Sequence, residues 1–148
     1  MSLYNEYAET VRKRLQEQRL ERIALQNAAG KFVEVLHSYA GIPPQVTNAL
    51  VLTRAVDHAG HRASPSDLDD FGDNRSLRFG LVFTVMWDTL PLGQIAVPAM
   101  VKCTNEAGKF YVQVNNGGDL EFYPDMPGTT EAVPEAWDRL MAEFDKLK

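Results

Sequence analysis

Between Arg78 and Trp87 every odd position is large and apolar. Phe79, Leu81, Phe83, Val85 and Trp87 alternate with Arg78, Gly80, Val82, Thr84 and Met86. A period of two belongs to a strand that drives one face into a core. Ile95, Val97, Ala99, Val101 and Cys103 repeat the pattern. A sheet is therefore expected to dominate the middle and later parts of the chain.

The connections fit hairpins. Strands are expected at about 77–87, 94–103, 109–115 and 119–123, joined by Asn105 to Gly108 and by Asn115-Asn116-Gly117-Gly118. The second loop supplies residues that tolerate positive φ, and its glycines are assigned to the turn. Short loops imply antiparallel neighbours. Pro98 falls inside the second of these strands and cannot donate a ladder hydrogen bond. The strand is expected to be an edge there, or bulged.

Two helical regions flank the sheet. Residues 3 to 40 hold no proline and are rich in good helix formers; Gly41 with Pro43 and Pro44 marks the stop. Leu3, Tyr7, Val11 and Leu15 recur at i+4, and Leu25, Phe32, Leu36 and Tyr39 share nearly the same side at about 100° per residue. Gln18, Glu21 and Arg22 interrupt this stripe. Either the helix leaves the body near Gln18 and packs its first half on another chain, or it breaks, for example near Gly30. The C-terminal helix opens with Pro134 and lines one side with Trp137, Leu140, Met141, Phe144 and Leu147.

The stretch 46–57 is β-branched enough to favour a strand, with a helix starting at Pro44 as the rival. Residues 58–76 read as a loop, with Ser66 able to cap a turn at Asp67 to Phe71. The expected organisation is one α+β domain over 1–148. It has a helical region at 1–41, a four- or five-stranded mostly antiparallel sheet at 46–123 with a loop at 58–76, and a C-terminal helix at 131–147 packed on the apolar face.

Charge and cysteine content narrow the function. A formal net charge of -5 disfavours a polyanionic partner such as nucleic acid, which needs a basic face. One cysteine permits no internal disulfide. No apolar run approaches the roughly 20 residues of a membrane span, and no secretory signal is recognised at the N-terminus. A cytoplasmic protein is expected.

The candidate chemistry is thin. His58 and His61 beside Asp57, with Asp67, Asp69, Asp70 and Asp73 further on, offer imidazole and carboxylate but no cysteine and no helix to fix them. A solvated loop is the better reading. A calcium loop at Asp67 to Asp73 fails, because Phe71 and Arg78 occupy positions that need ligands. Cys103 alternates with core residues and reads as a small hydrophobe. The serines form no nucleophile elbow, and neither a phosphate loop nor a dinucleotide fingerprint is present. Asp88, Asp119, Glu121 and Asp125 near strand ends read as turn or surface acids. The charges from Arg12 to Arg22 read as a solvated face with local pairs such as Glu9 with Lys13. No catalytic, cofactor or metal-binding residue is assigned.

The sheet's second face is the remaining candidate. Val82, Met86, Met100, Tyr111 and Tyr123 mix there with polar residues, too apolar for a wet surface and too polar for a core. Such a mix suits a protein interface. Either the N-terminal helix covers it, or a second subunit does. The expected function is a noncatalytic interaction protein of adaptor or chaperone kind, homodimeric, taking a protein partner through this face or a strand edge. The alternative is a small-ligand binder or enzyme with a pocket between sheet and N-terminal helix. Trp87, Tyr111, Tyr123 and Tyr39 would line that pocket, with His37 as its polar group.

Overall fold

The computed structural model describes residues 2–43, 46, 49–54, 62–72, 75–88, 90–126 and 132–146. Its architecture is α+β: a long N-terminal helix, a six-stranded antiparallel sheet and a C-terminal helix packed on that sheet.

Helix α1 runs unbroken for 37 residues, Leu3–Tyr39. Ser2 caps it, its Oγ accepting from the Asn5 N–H at 3.2 Å. Gly30 does not break it; the missing side chain there lets Pro65 approach, since a Cβ would lie 2.5 Å from the Pro65 Cγ. At the other end Gly41 has φ 67°, the left-handed conformation that commonly closes a helix.

Strand β1 (Leu50–Arg54) settles the segment that could have been strand or helix. The expected loop at 58–76 holds a short strand, β2 (Asp70–Gly72), after a 3-10 turn at Pro65–Asp67. That turn closes through Ser64, whose N–H donates to Asp67 Oδ2 at 3.0 Å, not through a helix capped by Ser66. Strands β3 (Ser76–Trp87), β4 (Leu90–Cys103), β5 (Phe110–Val114) and β6 (Leu120–Phe122) follow as a meander. The order is β1-β3-β4-β5-β6, with β2 beside β3.

Pro98 obeys its chemistry. β5 pairs β4 only from Ala99 opposite Val114 to Cys103 opposite Phe110. The Pro98 carbonyl accepts from the Asn115 N–H at 2.8 Å, and among the described residues no strand lies further along that side. β4 is thus interior at one end and an edge at the other. The β5–β6 turn uses the positive φ that its residues tolerate. Positive φ falls on Asn115 and Asn116 (56° and 59°), not on the glycines. Gly117 instead makes room for the Arg139 guanidinium, which donates to the Gly118 carbonyl at 2.8 Å.

The core lies on one face. Leu77, Phe79, Leu81 and Phe83 of β3 join Ile95, Val97, Ala99 and Val101 of β4, Val112, Val114 and Phe122. Two helices seal it. The second half of α1 brings Leu25, Ala28, Ala29, Phe32 and Leu36; α2 (Ala132–Asp145) brings Ala132, Val133, Ala136 and Leu140. Phe32 meets Phe122 edge-on at 5.4 Å, and Trp137 and Phe144 meet Phe83 at 5.3 and 5.8 Å. Each such pair adds about 0.5–1.5 kcal/mol beyond area burial. Helix α1 therefore shares the first face with α2, which corrects the reading that places it over the second.

Trp87 is a second correction. The period of two places it in the core, yet it is 70 % exposed. Cover runs out first: Phe144, at the end of α2, reaches Phe83 and sits against Gly93. Beyond that point the β3–β4 register shifts, with Val85 opposite Gly93 but Met86 opposite Pro91. The extra residue, Leu92, bulges β4 and bends the hairpin end away.

Candidate functional site

Helix α1 has two halves with different surroundings. From Glu21 onward it is tied to the body. Glu21 Oε2 accepts from Arg75 Nε at 3.0 Å, and the Arg22 guanidinium stacks 4.9 Å from the Phe71 ring centre. From Leu3 to Leu20 every residue is exposed except the half-buried Val11. At 1.5 Å per residue this free half is about 27 Å long.

The free half is amphipathic. Leu3, Tyr7 and Leu15 are 83, 67 and 61 % exposed, and Tyr4 and Leu20 are exposed too. At about 100° per residue, Leu3, Tyr7 and Val11 point within about 40° of the mean direction of Leu25, Phe32 and Leu36. The face that docks on the sheet thus continues past the sheet's rim. Nucleating a helix is costly in water. Here the docked half supplies the nucleus, and Glu9 lies 4.0 Å from both Arg12 and Lys13.

The end of the β3–β4 hairpin is a second apolar place. Leu90 and Leu92 are 64 and 65 % exposed beside Trp87. From Leu90 to Val97, no strand among the described residues pairs with β4 on the β5 side. Sequence reasoning passed over Leu90 and Leu92. Their signal was the leucines bracketing Pro91 directly after the turn.

The second face divides along its length. Val82 is buried, at 4 % exposed, with Val51, Thr53 and Thr84 buried around it. Met86, Met100, Tyr111 and Tyr123 are half-buried. Met100 pairs with Gln113, Lys102 with Tyr111, and Tyr111 with Glu121, so Met100, Tyr111 and Tyr123 follow one diagonal. Val82 lies towards β1 and Met86 at the hairpin end, so the five candidates form no single patch. Tyr111 sits under two cations, Lys102 Nζ at 5.9 Å and Lys109 Nζ at 5.4 Å from its ring centre. Asp119 and Glu121 hold those lysines at 3.5 and 3.0 Å, and the hydrogen bond that Lys109 donates to Glu121 pushes the Lys109 pKa up.

An open cavity of about 380 Å³ lies between α1 and β1, lined by Val33, Glu34, His37, Leu50, Leu52 and Pro65 among others. His37 is where the ligand-binding alternative needs it. Trp87, Tyr111, Tyr123 and Tyr39 are not in the lining, because the two tyrosines of the sheet face away from the helices and the other two residues are exposed.

Cys103 is half-buried against the core near the root of the free helix. Burial pushes its thiol pKa up, the Glu21 charge adds to this, and Arg75 offsets part of it. A raised pKa leaves little thiolate near neutrality. Asp57, His58, His61 and Asp73 lie outside the described residues. Among the described residues no group of three or more histidine, cysteine or acidic side chains could hold a metal ion, and no helix is long and apolar enough to cross a membrane.

No family model, no curated protein and no solved structure matches the chain.

Proposed function

We propose that this is a noncatalytic protein-interaction protein of adaptor or small-chaperone kind, acting as a homodimer in the cytoplasm. One observation carries the reading: about 27 Å of continuous helix extends beyond the body with Leu3, Tyr7 and Leu15 exposed along one side. Exposed apolar residues scattered singly need no explanation, but a stripe that continues a packing face supports an association surface. The hairpin end with Trp87, Leu90 and Leu92, next to the open length of β4, supports a further protein contact. A tryptophan in such a cluster is the residue type most enriched among energetic anchors of interfaces. The cytoplasmic assignment rests on the single cysteine, which needs no oxidising compartment.

Native mass spectrometry of the purified protein tests the reading. A dimer is expected. A bare monomer at all concentrations overturns it. A stoichiometric small molecule retained by the monomer moves the function to the ligand-binding alternative, with the cavity beside His37 as its site.

A further inference from the structure

We infer that the free half of α1 pairs antiparallel with the same segment of a second copy, Leu3 lying opposite the partner copy's Leu15 and Tyr7 opposite its Val11. The inference rests on the homodimeric reading and adds the surface, the direction and the register.

The order of charges sets the direction. Glu6 and Glu9 occupy the first turns; Arg12, Lys13 and Arg14 follow, and Arg19 lies beyond Glu17. Glu21 and Arg22 are already engaged by Arg75 and Phe71 of the same chain. A parallel pair would set the acidic turns on each other and the basic turns on each other. An antiparallel pair sets acidic against basic, and it also opposes the two helix dipoles.

The spacing sets the register. Matching Leu3 with Leu15 matches Tyr7 with Val11 by the two-fold symmetry, so all four stripe residues of both copies enter the seam. The symmetry axis then passes at the level of Glu9. Glu9 and Lys13 lie on the opposite side of the helix at about 100° per residue, so like charges do not meet at the axis. Glu6 and Arg14 flank the stripe on one side. Two residues off register, each Glu6 reaches the other copy's Arg14, and neither side chain has an ion-pair partner within its own chain among the described residues.

The bodies fit this arrangement. Glu21, where the body begins, lies 12 residues from the axis level, about 18 Å at 1.5 Å per residue. The two bodies therefore sit at opposite ends of a common handle. Four stripe residues per copy make a seam smaller than the roughly 800 Å² per partner of a standard interface, so the dimer is expected to dissociate in the micromolar range, within the span that weak seams occupy.

Sedimentation equilibrium over a concentration series tests it, on the wild type, Leu15→Glu, Glu6→Arg, Arg14→Glu and the double charge reversal. Circular dichroism of each variant checks that the helix is kept. Leu15→Glu is expected to weaken the dimer at least about tenfold, each single reversal several-fold, and the double reversal to return to within about threefold of wild type, as coupled neighbours do. A wild-type dimer indifferent to Leu15→Glu, or a double reversal no tighter than the singles, overturns the inference and leaves the homodimeric reading standing. A wild type that stays monomeric overturns both.

Discussion

Leu15 and Leu25 sit ten residues apart on one helix, and truncating each to alanine should have very unequal consequences. Leu25 is 1 % exposed within the apolar cluster; Leu15 is 61 % exposed on the free half. Helix propensity changes equally at both sites and slightly favours alanine, so the difference reports packing alone. Leu25→Ala removes buried methyl groups and leaves a cavity, at a cost of about 2–5 kcal/mol. For a chain of this size each kcal/mol lowers Tm by about 2–4 °C, so a fall of about 4–20 °C is expected. Leu15→Ala loses no packing within the monomer and should stay within about 0.5 kcal/mol of wild type. Urea unfolding followed by circular dichroism at sub-micromolar protein measures both, with dissociated chains. Raising the protein concentration should then stabilise the wild type more than Leu15→Ala, because association stabilises by mass action. A Leu15→Ala cost of about 2 kcal/mol at the lowest concentration would refute the reasoning, since the first half of α1 would then be packed on its own body.

Three further outcomes follow from particular side chains. Cys103 should react with a neutral disulfide reagent at pH 7 more slowly than a free thiol, its pKa being raised chiefly by burial; a rate at or above that of a free cysteine would contradict the packing. Glu143 accepts from Lys146 Nζ at 3.1 Å and, with smaller effect, from Asn115 Nδ2 at 2.8 Å, which holds its carboxyl below the usual glutamate range. A depressed acid contributes stability above its unfolded pKa and loses it as pH falls through the folded value. An NMR titration should therefore find the Glu143 midpoint low, and Asn115→Ala should move it back up. Trp87 is exposed while Trp137 lies against Phe83, so Trp87→Phe should remove most of the iodide-quenchable fluorescence of the dissociated protein; unchanged quenching would place Trp87 under cover.

The alternation in β3 and β4 made the sheet and its apolar face legible, because a period of two reports which side each residue takes. It does not report how far the cover extends. Trp87 keeps the pattern of Phe79 and Phe83 but lies past the reach of Phe144, so its burial depended on where α2 ends. Pro98 was legible as a place where a ladder must stop, and β5 does stop there. Which neighbour would be missing was not legible, since the length of β5 is set by the turn at Asn115 and Asn116. The short β2 was hidden because three residues carry no periodicity; its pairing comes from β3.

Helix α1 shows the same limit and gives it functional meaning. Its two apolar runs have one direction, and sequence alone cannot say that one meets a sheet and the other meets solvent. The interruption between them carries the distinction. Glu21 and Arg22 mark the rim of the body, and their partners Arg75 and Phe71 lie about fifty residues away in sequence. A helix that merely overran its sheet would be polar all round beyond that rim, since nothing would favour apolar residues there. Instead Leu3, Tyr7, Val11 and Leu15 resume the stripe on the far side. A polar collar between two apolar lengths is the pattern the proposed dimer requires, one length covered by the chain's own sheet and the other by a second copy.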